Sequence, residues 1–266
     1  MNEFPFSKYH GTGNDFVLID DREEVFPIVP KQVVQLCHRK YGIGADGLIL
    51  LRPSQKGDFM MRIFNRDGTE AEMCGNGLRC LVQFIHDLGI DADNVHIETM
   101  HSLYACEKKG DDILVDMGIP KIVNETEEEL FLEVGVPHFV TFVDDLNRFD
   151  VEAKRKFSDF GVNINYVNLV GSAVLRVRTF ERGVEEETLS CGSGATASVF
   201  AAWKKYGIQG RLTVVFGSGE TLRFEVTAKE RRLLKMTMIG EAKHVFDGRI
   251  RVKMEKRLLE GCEVSI

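Results

Sequence analysis

Two segments of the chain carry apolar residues at helical spacing, and each follows a glycine-rich corner. In "LRCLVQFIHDLGI" (78–90) and in "ATASVFAAWKKYGI" (195–208) the apolar residues recur every three or four positions. Gly89 and Gly207 stand where a glycine commonly ends a helix. The pattern predicts two helices whose N-termini lie at the corners "CGNG" and "CGSG", which begin at Cys74 and Cys191.

The segments around these helices also repeat, and they alternate apolar with polar residues as strands do. "FMMRIFNRDGTEAEM" precedes the first corner and "AVLRVRTFERGVEEETLS" the second, and hairpin-like strands follow each helix. This order predicts a duplicated unit of the α/β (α+β) class, in which each half is a mostly antiparallel sheet wrapped around a central helix. We expect the halves to span 1–118, joined by 250–266, and 119–249, with the active site in the cleft between them.

Composition narrows the class of protein. The 266 residues suit one large domain or two of ordinary size, and 44% hydrophobic with 28% charged residues is typical of a globular protein. A net charge of -7, with both signs mixed along the chain, argues against a nucleic-acid partner. The N-terminus carries no signal-peptide pattern, and no apolar run is long enough to span a bilayer. We therefore expect a cytoplasmic protein with no membrane partner.

The chain has six cysteines and no CxxC pair, and in a cytoplasmic protein we expect them to be reduced thiols. Cys74, Cys80 and His86 match no common zinc-ligand spacing, so we expect no metal site. Cys37 lies in an apolar-periodic stretch, and we expect it to pack in the core together with Cys80 and Cys106.

Cys74 and Cys191 differ because each combines a thiol with a helix N-terminus. Unpaired N–H groups and the positive end of the helix dipole are expected to lower the pKa of a thiol there. The neighbouring glycines let the backbone approach an anion such as a carboxylate. Two such thiols facing each other suit a two-base isomerase, in which one thiolate removes an α-proton and the other thiol returns a proton on the opposite face. A redox or sensor pair is the alternative from another class, although it needs no anion cradle on both sides.

The chain contains "HGTGNDFVLID", "YGIGADGLI", "MRIFNRDGTEAEMCGNGLRC", "FGVNINYV", "RTFERG" and "CGSGATA". Together these motifs resemble the diaminopimelate epimerase family, and the resemblance covers nearly the whole chain. It implies an amino-acid epimerase of lysine and peptidoglycan-precursor synthesis that interconverts LL- and meso-diaminopimelate and closes two pseudo-symmetric halves over this small-molecule substrate. It also implies a homodimer without a cofactor, since two positioned thiols make an electron-sink cofactor unnecessary.

The resemblance further implies roles for individual residues. Cys74 and Cys191 correspond to the two acid–base catalysts, and His138 and Glu181 to residues that tune the thiols. The positions that resemble substrate-binding residues are Asn14, Asn65, Gly75, Asn76, Asn163, Glu181, Arg182, Gly192 and Ser193. Judged by residue type alone, Asn14 and Asn65 would also serve as turn formers, and Glu181 with Arg182 would suit a solvated surface pair.

Two features depart from the family pattern. Val136 in "GVPH" stands where the family carries an asparagine, and the loss of one hydrogen bond to substrate would cost ~1–3 kcal/mol. The segment "ERGVEEETLSC" is one residue longer than in the family and carries Glu185, Glu186 and Glu187, which we interpret as a reshaped exposed loop. A broader amino-acid racemase on the same scaffold is therefore a second hypothesis.

Overall fold

The structure, a computed structural model, describes residues 2–91, 93–126, 129–148, 161–181 and 186–252. Within these ranges its α-helices are α1 (Pro30–Cys37), α2 (Gly75–Asp87) and α3 (Gly192–Tyr206), with a 3₁₀ turn at Leu146–Arg148. The strands are β1 (Asn2–Gly11), β2 (Asn14–Asp20), β3 (Gly47–Pro53), β4 (Phe59–Asn65), β5 (Glu70–Ala71), β6 (Asn94–Glu98), β7 (Leu103–Lys109), β8 (Asp112–Asp116), β9 (Lys121–Glu125), β10 (Glu129–Val134), β11 (Val136–Phe142), β12 (Asn163–Val170), β13 (Val174–Glu181), β14 (Glu186–Glu187), β15 (Gly210–Phe216), β16 (Thr221–Lys229), β17 (Arg232–Glu241) and β18 (Lys243–Val252).

The strand pairing of the first half recurs in the second. In the first half β1–β2, β3–β4, β6–β7 and β7–β8 are antiparallel, whereas β2–β3 and β4–β6 are parallel. In the second half β10–β11, β12–β13, β15–β16 and β16–β17 are antiparallel, whereas β11–β12 and β13–β15 are parallel. Helix α2 precedes β6, and α3 precedes β15. The prediction of a sheet-dominated α+β fold with a duplicated unit is confirmed.

Among the described strands, two pairs join the halves. Strand β8 pairs antiparallel with β17, and β18 returns to pair antiparallel with β1. The return begins at Lys243, earlier than residue 250 where we expected it, and 253–266 lie outside the described residues. Strand β9 pairs with β10, so the chain passes from the first repeat to the second between β8 and β9.

The two central helices are buried for different physical reasons. In α2, Leu78, Leu81 and Ile85 are fully buried at the spacing that the sequence predicted. In α3 the buried face also carries small polar residues, whose hydroxyls bond back to the helix: Thr196 donates to the carbonyl of Gly192 (2.9 Å) and Ser198 to that of Gly194 (2.7 Å). Because these hydroxyls are satisfied locally, α3 can pass through the core without a large apolar stripe.

Two predicted details of the helices are confirmed. Gly89 (φ +78°) follows the end of α2, and Gly207 (φ +69°) caps α3, and both adopt the left-handed conformation that glycine permits. The three cysteines assigned to packing are buried: Cys37, the last residue of α1, lies in the smaller core, and Cys80 and Cys106 lie in the larger core that contains α2 and α3.

Candidate active site

Cys74 and Cys191 each cap the N-terminus of a central helix. Cys74 has an extended backbone (φ -144°, ψ 119°), and its Sγ accepts a hydrogen bond from the N–H of Gly77 at 3.4 Å. Cys191 repeats this geometry (φ -131°, ψ 112°), and its Sγ accepts from the N–H of Gly194 at 3.3 Å. The helix starts predicted from the sequence are therefore confirmed, and each thiol lies at the positive end of a helix dipole.

The two corners touch at their glycines. A Cβ placed on Gly75 would lie 3.5 Å from the Cα of Gly192, and one placed on Gly192 would lie 3.3 Å from the Cα of Gly75 and from Sδ of Met238. Only residues without side chains let the two helix N-termini approach this closely. The N-termini of α2 and α3 therefore meet at Gly75 and Gly192, and the first N–H groups of a helix N-terminus are the groups that bind an anion.

Burial raises the pKa of both thiols, so the expectation of a lowered pKa is wrong for this structure. For Cys74, burial raises the pKa to about 11, although the N–H of Gly77 acts in the opposite direction. For Cys191, burial raises the pKa well above its ordinary value, and the carboxylate of Glu181 raises it further. A thiolate at these positions loses more solvation free energy than its interaction with the helix N-terminus supplies. Both cysteines are therefore favoured as protonated thiols.

A polar cluster from four parts of the chain surrounds Cys74. Its thiol donates to Oδ1 of Asn14 (3.6 Å), and the same oxygen accepts from Nδ2 of Asn76 (3.2 Å). Nδ2 of Asn76 also donates to Oγ of Ser190 at 3.1 Å, and Ser190 donates to the carbonyl of Thr12 at 2.8 Å. Nδ2 of Asn14 donates a hydrogen bond to Oδ2 of Asp46 at 2.9 Å. Sequence-predicted Asn14 and Asn76 thus lie beside the first thiol.

A second buried cluster lies under the N-terminus of α3. His138 is fully buried on β11, and its Nδ1 lies 3.1 Å from Nδ2 of Asn165. Oδ1 of Asn165 accepts from Oγ1 of Thr179 at 3.0 Å, and a Cβ on Gly194 would lie 2.3 Å from this oxygen. The backbone N–H that bonds to Cys191 therefore belongs to a residue packed directly on the cluster. His138 also pairs in register with the predicted, buried Asn163.

Glu181 and Ser193 lie against the second thiol. The pKa of Glu181 is raised by burial, while a hydrogen bond with the thiol of Cys191 acts to lower it. Oγ of Ser193 is 3.5 Å from Sγ of Cys191. These contacts give Cys191 a carboxylate and a hydroxyl, whereas the corresponding neighbours of Cys74 are amides. The two corners share a backbone geometry, but Glu181 is hydrogen-bonded to the thiol of Cys191, while its charge raises the pKa of both thiols.

Other predicted residues are placed as follows. Asn65 is exposed at the end of β4, where its Nδ2 donates to Oγ1 of Thr69 at 3.1 Å, so in this structure it forms a turn. Arg182 lies outside the described residues. Val136 follows Gly135, where a Cβ would lie 3.0 Å from the side chain of Met73, so this turn packs beside the Cys74 corner. Glu187 pairs with Arg178 at 2.5 Å on the outside of the second half.

Several residues of the site were missed by reasoning from the sequence: Thr12, Asp46, Arg79, Asn165, Thr179, Ser190 and Met238. Some carried a local signal, since Thr12 precedes Asn14 in "HGTGNDFVLID", Arg79 belongs to "CGNGLRC" and Ser190 precedes Cys191. Thr12 and Ser190 are 178 positions apart, and their hydroxyls lie 2.9 Å from each other. Contacts of this separation depend on the tertiary fold.

The described part of the chain lacks two other kinds of site. None of its helices is both long and apolar enough to cross a membrane. No group of three or more His, Cys, Asp or Glu side chains in it converges as metal ligands would.

Comparison with known proteins agrees with this architecture. The sequence model of the family described as "Diaminopimelate epimerase" matches residues 6–123 and 130–245. A diaminopimelate epimerase of Flavobacterium psychrophilum is 45% identical over 205 residues, which cover 73% of this chain and 79% of that protein. A diaminopimelate epimerase of Archaeoglobus fulgidus is 38% identical over 277 residues, which cover 93% of this chain and 96% of that protein.

Solved structures share the fold at low sequence identity. A Bacillus anthracis phenazine biosynthesis protein of the PhzF family has a TM-score of 0.73 at 14% identity, and the match covers 95% of this chain and 100% of that one. A hydroxyproline epimerase from Agrobacterium vitis has a TM-score of 0.68 at 12% identity, with 93% and 92% covered. The duplicated α+β fold, with one helix at the centre of each half, is thus the class to which this protein belongs. Within that class, the chain belongs to the diaminopimelate epimerase family.

Proposed function

We infer that this protein is a diaminopimelate epimerase, an isomerase that interconverts LL- and meso-diaminopimelate in the synthesis of lysine and of peptidoglycan precursors. The observation that carries the inference is the pair of cysteine-capped helices whose glycine corners meet between the halves. Relatives of 45% and 38% identity that bear this enzyme's name support the choice of substrate.

The two thiols account for both proton transfers of the reaction. One cysteine, as thiolate, takes the α-proton, and the electron pair left on the α-carbon spreads into the α-carboxylate. The other cysteine, as thiol, gives its proton to the opposite face of the same carbon. The turnover ends with the thiolate and the thiol exchanged, so that no oxidant, reductant or external acid is consumed. Cys74 and Cys191 are the proposed pair.

The charge of the α-carboxylate grows during this step, and the two helix N-termini are suited to stabilise it. We propose that Gly75 and Asn76 of one corner and Gly192 and Ser193 of the other cradle it. Because burial raises the pKa of the thiols, a thiolate needs a nearby cation, which the α-ammonium group of the substrate would supply.

The remaining roles are proposed from contacts and from the family. His138 and Glu181 tune the second thiol, His138 through Asn165 beneath Gly194 and Glu181 by its charge and its hydrogen bond. The residues proposed to hold the rest of the substrate are Asn14, Asn65, Asn163, Glu181 and Arg182.

The decisive test measures epimerisation in D₂O. We expect the purified protein to convert LL- to meso-diaminopimelate with incorporation of solvent deuterium at the α-carbon. Cys74→Ala and Cys191→Ala should each slow epimerisation by on the order of 10³-fold or more, because each removes one of two obligatory proton carriers. Mass spectrometry with chiral chromatography follows both quantities.

Cys80→Ala is the matched control, since Cys80 is a fully buried thiol on the same helix as the Cys74 cap and has no part in the proposed reaction. It should retain activity. If both Cys74→Ala and Cys191→Ala epimerise at the rate of the unchanged protein, the two-thiol mechanism is wrong, and absence of turnover with diaminopimelate removes the proposed function.

Two alternatives give different results in the same assay. A broader racemase, suggested by Val136 beside the Cys74 corner, would turn over simple amino acids at rates comparable to diaminopimelate. A redox or sensor protein would show a reversible Cys74–Cys191 disulfide that changes its binding to a partner, whereas in the epimerase oxidation only inactivates. We favour the epimerase because the glycine corners present N–H groups from both sides, which a redox pair does not need.

We further propose that 1–118 with the C-terminal segment, and 119–249, act as two domains with the active site in the cleft between them. We also propose a cytoplasmic homodimer with no cofactor, as the family resemblance implies. Static light scattering of the purified protein, which gives its mass in solution, tests the dimer.

A further inference from the structure

Arg79 is a fully buried arginine between the halves that neither the reaction nor the family assignment has used. It lies on α2, five residues after Cys74. One nitrogen, Nη2, donates to Oδ1 of Asn76 at 2.9 Å and to Oγ1 of Thr12 at 3.1 Å. Nε donates to the carbonyl of Glu241 at 3.4 Å, and Nη1 lies 3.5 Å from Sδ of Met238. The side chain therefore joins α2 to β17 of the other half.

No carboxylate in the described part of the chain pairs with this cation. All its partners are neutral: an amide oxygen, a hydroxyl, a carbonyl and a thioether. A buried charge without a counter-ion is unfavourable, and burial accordingly lowers the pKa of Arg79. A fold that keeps such a cation holds a positive potential ready for a negative group that is supplied from outside.

The surroundings of the guanidinium are shaped to accommodate it. A Cβ on Gly11 would lie 3.0 Å from Nη2, and one on Gly240 would lie 3.2 Å from Nε. Gly11 ends β1 and Gly240 lies on β17, so backbone from both ends of the chain packs directly on the cation. Side chains at these positions would push the guanidinium away from Asn76.

Arg79 also fixes the orientation of the Asn76 amide. A guanidinium can only donate hydrogen bonds, so the oxygen of Asn76 must face it. The NH₂ group of Asn76 must then face Oδ1 of Asn14 (3.2 Å) and Oγ of Ser190 (3.1 Å). If the amide turned over, its NH₂ group would meet the guanidinium donor. The cation therefore determines which end of Asn76 faces the Cys74 corner.

We propose that Arg79 is a positioning residue of the epimerase reaction: it orients Asn76 at the carboxylate cradle and supplies the buried positive charge that the α-carboxylate complements as the α-proton leaves. This inference rests on the proposed function, because the anion is the carboxylate of the reacting substrate. The benefit is larger in the transition state than in the bound substrate, since negative charge on the carboxylate grows between the two.

The competing explanation is a purely structural role, in which Arg79 only links α2 to β17; we call this role a pin. A pin and a positioning charge predict opposite results for Arg79→Met, which keeps an unbranched apolar stem and removes the charge. A pin predicts a lower melting temperature with unchanged kcat per folded enzyme. A positioning charge predicts a lower kcat with an unchanged or higher melting temperature, because the substitution also removes an uncompensated buried charge.

The experiment compares kcat, KM and melting temperature for Arg79→Met, Arg79→Lys and Arg79→Ala. For Arg79→Met we expect kcat to fall about 10- to 100-fold, less than for a donor that touches the substrate, with KM within about threefold. Arg79→Lys keeps the charge but loses the planar guanidinium that reaches Asn76 and β17 at the same time, so its kcat should lie between those of the unchanged protein and Arg79→Met. Added guanidinium ion should restore part of the kcat of Arg79→Ala in a saturable manner.

The outcomes separate this inference from the proposed function. If the unchanged protein epimerises and Arg79→Met retains kcat within twofold, the inference is wrong while the proposed function stands. If the unchanged protein does not epimerise diaminopimelate, the proposed function is wrong, whatever the Arg79 variants do. If Arg79→Met does not fold, Arg79→Lys and guanidinium rescue of Arg79→Ala still decide, because a pin predicts no dependence of kcat per folded enzyme on guanidinium.

Discussion

At the scale of single residues, burial determines how reactive each cysteine is. Cys74 and Cys191 have the helix N-terminus that should favour a thiolate, yet burial raises the pKa of both. Their environments differ, since Cys74 is half-buried among amides and Cys191 is fully buried beside a carboxylate. The two thiols should therefore be distinguishable in the enzyme before any substrate is added.

We predict that iodoacetamide labels Cys74 before Cys191 and that both react more slowly than an ordinary thiol at pH 8. With a pKa of about 11, the labelling rate of Cys74 should rise about tenfold per pH unit and keep rising beyond pH 9, where an ordinary thiol levels off. Peptide mass spectrometry measures each site, with buried Cys80 and Cys106 as internal controls. Labelling of Cys191 first, or a plateau below pH 9, would contradict the assignment of these environments.

At the scale of elements, an ion-pair network holds the β1–β2 hairpin that carries Asn14. Nζ of Lys8 lies 2.7 Å from Asp15, and the lysine is almost fully buried, with its side chain 6% exposed. Arg39 binds both carboxylate oxygens of Asp15, at 2.7 and 2.9 Å, and also binds Asp46 at 2.7 Å. Since Asp46 holds the amide of Asn14, the network links the hairpin end to the Cys74 corner.

We predict that Asp15→Asn lowers the free energy of unfolding by ~3 kcal/mol, because it leaves the buried Lys8 without its carboxylate. Burial acts to raise the pKa of Asp15, but the hydrogen bonds from Arg39 and Lys8 outweigh it and lower the pKa to about 2. This contribution is therefore fully present above about pH 4 and is lost as pH falls through 2. Urea unfolding at several pH values measures it.

Asp20→Asn is the matched control for that series. Asp20 also pairs with an arginine, Arg22 at 2.6 Å, but both side chains are partly exposed to solvent. Exposed pairs contribute about 0–1 kcal/mol, so this variant should unfold almost like the unchanged protein. Equal effects of the two substitutions would show that burial of Lys8 is not what makes the Asp15 pair important.

At the scale of the whole molecule, strand pairing makes the two halves interdependent. The edge of β1 is covered by β18, which follows the second half, and β17 of the second half pairs with β8 of the first. The larger hydrophobic core includes residues from both halves around α2 and α3. Either half alone would expose a sheet edge and part of this core.

We predict that the halves unfold in one cooperative transition. The sole tryptophan, Trp203, lies on α3 and reports on the second half, whereas far-ultraviolet circular dichroism reports on both. The two signals should give the same midpoint in urea within experimental error. A tryptophan transition that clearly precedes or follows the loss of secondary structure would show instead that the halves are stable independently.

Much of the local structure follows from the sequence. The apolar spacing and the glycines defined both central helices and their ends, because capping and periodicity depend on residues within a few positions of each other. The repeated order of segments predicted the duplication, and the glycine corners at the two predicted helix starts singled out Cys74 and Cys191. The tertiary structure decided the rest. It determined the contact of the two corners, the Thr12–Ser190 pair across 178 positions, the burial of Arg79 among neutral partners and the sign of the thiol pKa shifts. Burial arises from segments far apart in the chain, so the helix dipole at each corner could be predicted from the sequence, but the desolvation that outweighs it could not.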